Sequence, residues 1–446
     1  MFSSNRYFIS GIVLIIAQQV SLAISTYYIA MAGAALSLQD YQLLKTRIIL
    51  FFSFALLGYL ISSAVEFISA KLKIDLWEKY IFSVYEHLRH NQPLSSEANR
   101  KNVQGWLGSE VPTTLDGTVN LYFGMTSVYS NIITTLYVFY WVLGIHIAIV
   151  MATSILLSYF LVKAMKSRIN ISATEIQQKR LNVVKRTSSL WDYYLNANSS
   201  MIGASEASSR SLIADFLRSS LYYVRLEQLA ACLPICIAVV LILIYLQGLP
   251  LSQSVPWGMI VATLPRSLQV FGNVHSMSLY NSKYLYFRKR ISNLLDFTNT
   301  LESLNLNQQV ARDDLSICNT LNGQTIPIDR LFDDIRTIAH LKGRFLISGK
   351  NGAGKSSLLK LIKSEFTESI LLPSHASFHE TEAPLSTGES QVKKLLHVLE
   401  QKAPIILLDE WDANLDTQNK VRVGNILNQK AEETLIIEVR HFQGVI

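Results

Sequence analysis

The sequence predicts a multi-domain membrane protein: an all-α, six-helix transmembrane domain followed by an α/β P-loop NTPase domain. Three observations carry this. Half of the 446 residues are hydrophobic and only 16% are charged, a balance far more apolar than that of a soluble globular protein. The excess is confined to residues 1–296, where apolar runs long enough to cross a bilayer recur. Residues 314–446 read as an ordinary soluble domain and contain Gly349-Lys350-Asn351-Gly352-Ala353-Gly354-Lys355-Ser356-Ser357, a phosphate-loop pattern.

A spanning helix needs about 20 mostly apolar residues. Six candidates lie near 8–34, 47–70, 119–143, 146–166, 229–248 and 255–280. The gaps at Gly144–Ile145 and Gly248–Ser254 hold no Lys or Arg, whereas the two long gaps are basic. One carries Lys71, Lys73, Lys79, Arg89, Arg100 and Lys101, and the other carries nine such residues from Lys166 to Arg225. Positive charge gathers on the cytoplasmic side, so both long gaps, both termini and the C-terminal domain are expected there. The net charge of +7 then reflects membrane orientation. No basic stripe interleaved with aromatics is present, and nucleic acid is not an expected partner. The long gaps have helical spacing over 72–92 and 165–225, so the spans should extend beyond the membrane. Polar breaks near 93–117 and 195–208 are candidates for short transverse elements. The first apolar run is too long for a signal-peptide core. Three cysteines cannot make a disulfide framework, and Cys232, Cys236 and Cys318 are expected as small buried hydrophobes.

Within the spans the costly residue is Arg266, beside Pro265 in the sixth run. An intramembrane charge faces a cavity or a partner. Arg266 is therefore a candidate for the transport path, with a structural ion pair as the alternative. Pro234 is expected to kink the fifth span. Tyr27, Tyr28, Tyr122 and Tyr140 fit interfacial belts as well as a path.

After Leu295 the composition changes, and the Asn/Gln-rich stretch 297–313 reads as a linker. The apolar run Arg344–Ser348 then feeds the phosphate loop, and helical spacing follows from Leu358. Each part of the loop has a physical use. The glycines let backbone N–H groups wrap phosphate oxygens, and the helix N-terminus adds positive potential. Lys355 neutralises phosphate charge, and Ser356 supplies a hydroxyl ligand for Mg2+. A second apolar run, Pro404–Leu408, ends in Asp409-Glu410. A strand that delivers two carboxylates beside a phosphate loop makes a site for metal and water: Asp409 holds Mg2+ through water, and Glu410 polarises the attacking water. The alternative is a strand capped by two solvated acids. Leu385-Ser386-Thr387-Gly388-Glu389 precedes another helix, which gives a second anion-binding element. Asn414-Leu415-Asp416 and the strand Thr434–Val439, leading to His441, complete the series.

The order phosphate loop, signature, acidic strand, D-loop and switch histidine resembles an ATP-binding cassette (ABC). Six spans ahead of one cassette resemble an exporter-type half-transporter of that superfamily. The stretch Gly343–Leu359 and Ile370-Leu371-Leu372-Pro373 are further similar to peroxisomal acyl-CoA half-transporters and bacterial peptide transporters. The resemblance implies ATP and Mg2+ as cofactors and a second half-transporter chain, as a homodimer, as partner. Two ATP molecules would lie between the cassettes. Each would be bound by one chain's Gly349, Asn351, Gly352, Ala353, Gly354, Lys355, Ser356 and Ser357 and by Ser386 and Gly388 of the other, with Asp416 in the D-loop and His441 at the γ-phosphate. It implies ATP-driven transport, as export, of a peptide, lipid or other amphipathic substrate by alternating access across a bacterial inner membrane.

The chain departs from the family in several places. The stretch between Ser356 and Leu385 is too short for the usual helical subdomain. Ser374 and His375 stand where a glutamine is usual, and Thr387 where glycine is. Residues 315–330 offer no aromatic to stack on adenine, and Trp411 follows Glu410 where a small residue or proline is common. Two rivals follow from these gaps: an ATP-binding membrane receptor or regulator that does not pump, and a gradient-driven peptide-uptake protein with a vestigial cassette. The intact set Lys355, Ser356, Asp409, Glu410, Ser386, Gly388 and His441 favours hydrolysis.

Overall fold

The computed structural model describes residues 5–247, 257–337, 341–373, 387–413 and 415–440. Contacts divide the chain into two compact units, residues 1–80 with 107–296 and residues 81–106 with 297–446.

The first unit is helical. Its long helices are α1 (Arg6–Ser37), α2 (Tyr41–Leu88, which continues into the second unit), and, beyond the short α3 (Glu97–Gly105), α4 (Val111–Leu143) and α5 (Ile145–Ser188). After α6 (Leu190–Asn196) come α7 (Ser199–Gln247) and α8 (Trp257–Asp296). Within the described residues, each of the six predicted spans falls on one long helix, the helices running from 32 to 49 residues, well beyond the roughly 20 a bilayer requires. On length and composition, α1 and α2 are apolar enough to cross a membrane among the described residues. The turn between α4 and α5 rests on Gly144 at φ +86°, a conformation glycine adopts at little cost. α1 and α8 approach closely at glycines: a Cβ on Gly33 would lie 2.3 Å from the Gly258 carbonyl oxygen. Small residues of this kind let spanning helices pack backbone to backbone.

Two expectations need correcting. The second break lies at 189–198 rather than 195–208, since α7 is already helical from Ser199. Its serine-rich start looks like a loop in sequence, but Ser209 Oγ donates to the Ser205 carbonyl one turn back at 2.8 Å, a local bond that lets serine stay in a helix. Cys232 and Cys236 are exposed, not buried. They lie on a side of α7 that also turns Leu229, Leu233 and Val240 outward, as a lipid-facing helix does.

The second unit is α/β. Its strands are β1 (Leu315–Asn319), β2 (Thr325–Ile326), β3 (Gly343–Gly349), β4 (Ile370–Leu372), β5 (Ile405–Asp409) and β6 (Leu435–Val439), in the order β2-β1-β3-β6-β5-β4. The β1–β2 and β1–β3 pairs are antiparallel; β3, β6, β5 and β4 run parallel. Every residue of β5 and β6 is buried, which is why these strands read as largely apolar runs, interrupted only by Asp409 at the end of β5 and Glu438 within β6. One face carries a core of Ile317, Leu331, Ile347, Leu358 and Ile437. The other packs Leu395, Leu408, Trp411, Leu427 and Ile436. The helices of the unit are α9 (Leu306–Gln309), α10 (Ile328–Thr337), α11 (Lys355–Glu365), α12 (Thr387–Glu400) and α13 (Thr417–Lys430). Among the described residues no helix stands between β4 and α12.

The end of α2 and α3 belong to this second unit, a difference from the expected division at residue 296. Asn99 explains the grouping. Its side chain donates to the carbonyls of Leu94 (3.0 Å) and Glu302 (2.8 Å) and accepts from the Glu302 N–H at 3.2 Å. Trp106 stacks on Phe297 with ring centroids 4.5 Å apart. The stretch 297–313, read in sequence as a linker, contains α9, and α9 packs on α11.

Candidate functional site

β3 delivers the chain to the phosphate loop at its C-terminal end. Gly352 and Gly354 take the left-handed conformation, φ +85° and +89°, and at Gly354 a Cβ would also come 2.0 Å from the Gln309 carbonyl oxygen. Both needs exclude a side chain there. α11 begins at Lys355 with no side-chain cap. Its first N–H groups are therefore free for an anion, and the helix dipole adds positive potential at the same end. Ala353 is buried, and its carbonyl accepts from the Ala311 N–H at 3.1 Å, so the segment after α9 braces the loop from behind. The Lys355 ammonium donates to the Gly349 carbonyl at 2.9 Å and to the Lys350 carbonyl at 3.3 Å, which holds it across the loop.

β5 brings in the carboxylates. Ser356 Oγ donates to Asp409 Oδ1 at 3.0 Å. Asp409 is 9% exposed; burial raises its pKa above the ordinary carboxylate value, while the Ser356 hydrogen bond opposes the rise and the neighbouring Glu410 charge adds to it. A buried carboxylate oxygen beside a hydroxyl offers two hard oxygen donors, the set Mg2+ prefers. Ser356 and Asp409 are thus the residues that would hold it. Glu410 sits at φ +50°, a rare conformation for a residue with a side chain and one that concentrates at functional sites. Its N–H donates to the Val439 carbonyl at 2.9 Å, so the turn that aims Glu410 is fixed to β6.

Trp411 is part of the same fixation. Its indole N–H donates to Glu438 Oε2 at 2.9 Å. Glu438 is fully buried and receives two parallel bonds from Arg344, at 3.0 and 2.9 Å, and two from Arg440 on Oε1, at 3.0 and 2.7 Å. Arg344 also donates to the Gly424 carbonyl at 3.0 Å and to Asn428 Oδ1 at 2.7 Å. One buried carboxylate therefore ties the phosphate-loop strand, the exit from the acidic strand and the strand leading to residue 441. Sequence reading missed this network. The available signal was Glu438, a lone acid in an apolar strand.

The other predicted residues divide as follows. Asn351 is exposed in the loop, and Ser357 Oγ donates to Gln309 Oε1 at 3.0 Å. Gly388 lies in the first turn of α12. Asp416 has a local role within this chain: it caps α13, accepting from the Asn419 N–H at 2.7 Å. Ser386 and His441 lie outside the described residues, as do Ser374, His375 and Asn414. Arg266 is in the helical unit.

Residues 345–444, which run from β3 past β6 and include both carboxylates, match the model of the ATPase family associated with various cellular activities (AAA). The whole chain is similar in structure to a bacterial Atm1-family ABC exporter solved with ATP bound. The TM-score is 0.60 at 13% identity, over 98% of this chain and 91% of that one. No curated protein sequence matches the chain. The structural likeness is one of fold: helical spans followed by a mixed-sheet nucleotide-binding domain, as in an ABC exporter half-transporter.

Proposed function

From the fold of an ABC exporter half-transporter and an ATPase-family domain at the C-terminal end, we propose that this chain couples ATP hydrolysis to export of an amphipathic molecule, a peptide or a lipid, across a bacterial inner membrane. The observation that carries the reading is the union of Lys355, Ser356, Asp409 and Glu410 at one end of one sheet. Lys355 and the N–H groups of the loop bind and neutralise phosphate oxygens. Ser356, and Asp409 through water, would hold Mg2+, which when bound would supply further charge neutralisation at the phosphates. Glu410 orients a water for in-line attack and takes up its proton as the bond to the γ-phosphate breaks, giving ADP and phosphate.

A second copy of the chain completes the site. Ser386 and Gly388 of that copy would close over the phosphates, as the resemblance implies. Closure of the two nucleotide-binding domains would be passed to the spans and open the path alternately to each side. The Lys and Arg distribution favours the nucleotide-binding domain and both termini on the cytoplasmic side.

The test is Glu410→Gln in the full chain, reconstituted in lipid nanodiscs. ATP turnover should fall by roughly a hundredfold or more, a barrier change of about 2.7 kcal/mol, while ATP binding is kept. An unchanged turnover rate removes Glu410 from the chemistry and returns the chain to the receptor reading.

A further inference from the structure

The helical unit contains a chain of buried polar groups that the hydrolysis reaction does not use. Gln19 of α1 donates to Ser127 Oγ at 3.0 Å, and its carbonyl accepts from Asn131 Nδ2 at 2.6 Å. Asn131 Oδ1 accepts from Asn273 Nδ2 of α8 at 2.6 Å. One turn on, Arg266 Nη2 donates to Thr135 Oγ1 at 3.1 Å and Nη1 donates to Gln269 Oε1 at 2.5 Å. Among the described residues, Arg266 Nε is buried and has no hydrogen-bond partner. The hydrogen-bond partners of the guanidinium among them, Thr135 and Gln269, are neutral.

The sequence shows where a counter-ion is lacking. Residues 1–39, 117–174 and 228–295 contain no Asp or Glu. Those ranges cover α1, α8 except its last residue, nearly all of α4 beyond its first turns, and the apolar parts of α5 and α7. The same ranges are empty in a second copy. In α2 the carboxylate within the apolar stretch is Glu66, about 37 Å along that helix from Tyr41 at 1.5 Å per residue. Arg266 lies about 14 Å along α8 from Trp257 on the same measure, close to the middle of a roughly 30 Å hydrocarbon layer. At that depth the side chain is too far from either surface to reach bulk water easily, and an uncompensated charge there is costly. Pro265 beside it also removes one backbone donor from the helix. Yet the cation is kept and oriented by Thr135 and Gln269, and Gln269 is exposed, so the guanidinium head lies on an accessible face rather than sealed in packing.

We infer that Arg266, oriented by Thr135 and Gln269, is the recognition site for an anionic group, a carboxylate or phosphate, on the molecule that this chain transports. The inference rests on the transport reading above and narrows its substrate to anionic amphiphiles. The guanidinium presents paired N–H donors that suit either anion, and the bound anion supplies the charge compensation that the chain omits. Asn131, Asn273 and Gln19 hold the helices in register behind it.

The test is binding without nucleotide, so a failure of hydrolysis does not affect it. The full chain is placed in zwitterionic phosphatidylcholine nanodiscs and titrated with N-dodecanoylglycine and with its neutral twin, N-dodecanoylglycinamide, against empty discs. The acid should bind roughly tenfold more tightly, the scale of a charge-assisted hydrogen-bond pair. Arg266→Gln should abolish that preference, and Arg266→Lys, which keeps the charge, should retain most of it. Should Arg266→Gln not fold, the wild-type comparison and the lysine variant still decide. Equal binding of acid and amide, binding of neither, or a preference that survives in Arg266→Gln overturns the assignment.

Discussion

Two arginines, one in each unit, show how differently this chain treats a cation removed from bulk water. Arg344 is 2% exposed and each of its three nitrogens donates within the chain, to Glu438, Asn428 and the Gly424 carbonyl. Among the described residues Arg266 has neutral partners and a buried Nε with none, and the stretches 117–174 and 228–295 of the helices around it carry no acid. The first arrangement is complete and therefore structural. The second is incomplete, and incompleteness in a costly place points to something that comes and goes. Removing one member of a buried ion pair strands the other, whereas a lone cation awaiting a ligand has no stranded partner to leave behind.

The sharpest way to break the comparison is Glu438→Ala. It should cost about 3–5 kcal/mol by leaving Arg344 buried and unpaired, read as a lower unfolding midpoint of the nucleotide-binding unit. The double variant Arg344→Met with Glu438→Leu should recover part of that loss, because the fully buried pair is removed together while only Arg440 and the Trp411 N–H lose a partner. A neutral Glu438→Ala would show Arg344 to be no better compensated than Arg266.

A smaller effect of opposite sign is expected at Asp409. Burial raises its pKa in the folded chain, so the fold favours the protonated form. The stability it contributes is present below the ordinary carboxylate pKa near 4 and is lost as pH rises through the raised value. At neutral pH the wild-type chain carries this cost. Asp409→Asn should therefore unfold at a higher midpoint at pH 7, by about 1 kcal/mol, with the gain disappearing under acid conditions, while ATP hydrolysis is lost. A midpoint that drops at pH 7 would mean that the Ser356 bond outweighs burial.

The contrast also shows what a sequence reveals. The six spans were legible because apolar length is a property of composition, and the phosphate loop because its glycines and Lys355 sit at fixed spacing. Arg266 stood out because a charge in an apolar run is visible without coordinates. The pairing of Trp411 with Glu438 and Arg344 was not legible, since it joins three strands that are distant in sequence. The start of α7 was misplaced because its serines bond within the helix and resemble a loop. Asp416 caps α13 within this chain, a local role that leaves its expected place beside a second chain's nucleotide to the dimer proposal. The stretch before β1 looked like a linker because its Asn and Gln side chains are polar; that polarity is what lets Gln309 bond Ser357.

The central claim is that the phosphate loop of one chain is completed by Ser386 of another. The three native cysteines make a direct test practical. In a background with Cys232, Cys236 and Cys318 replaced, Asn351→Cys and Ser386→Cys are combined with Glu410→Gln, and the full chain in nanodiscs is oxidised with and without ATP. The account predicts a disulfide-linked dimer that forms with ATP and is weak without it. A chain that stays monomeric under oxidation with ATP, or that cross-links equally in both conditions, would contradict it.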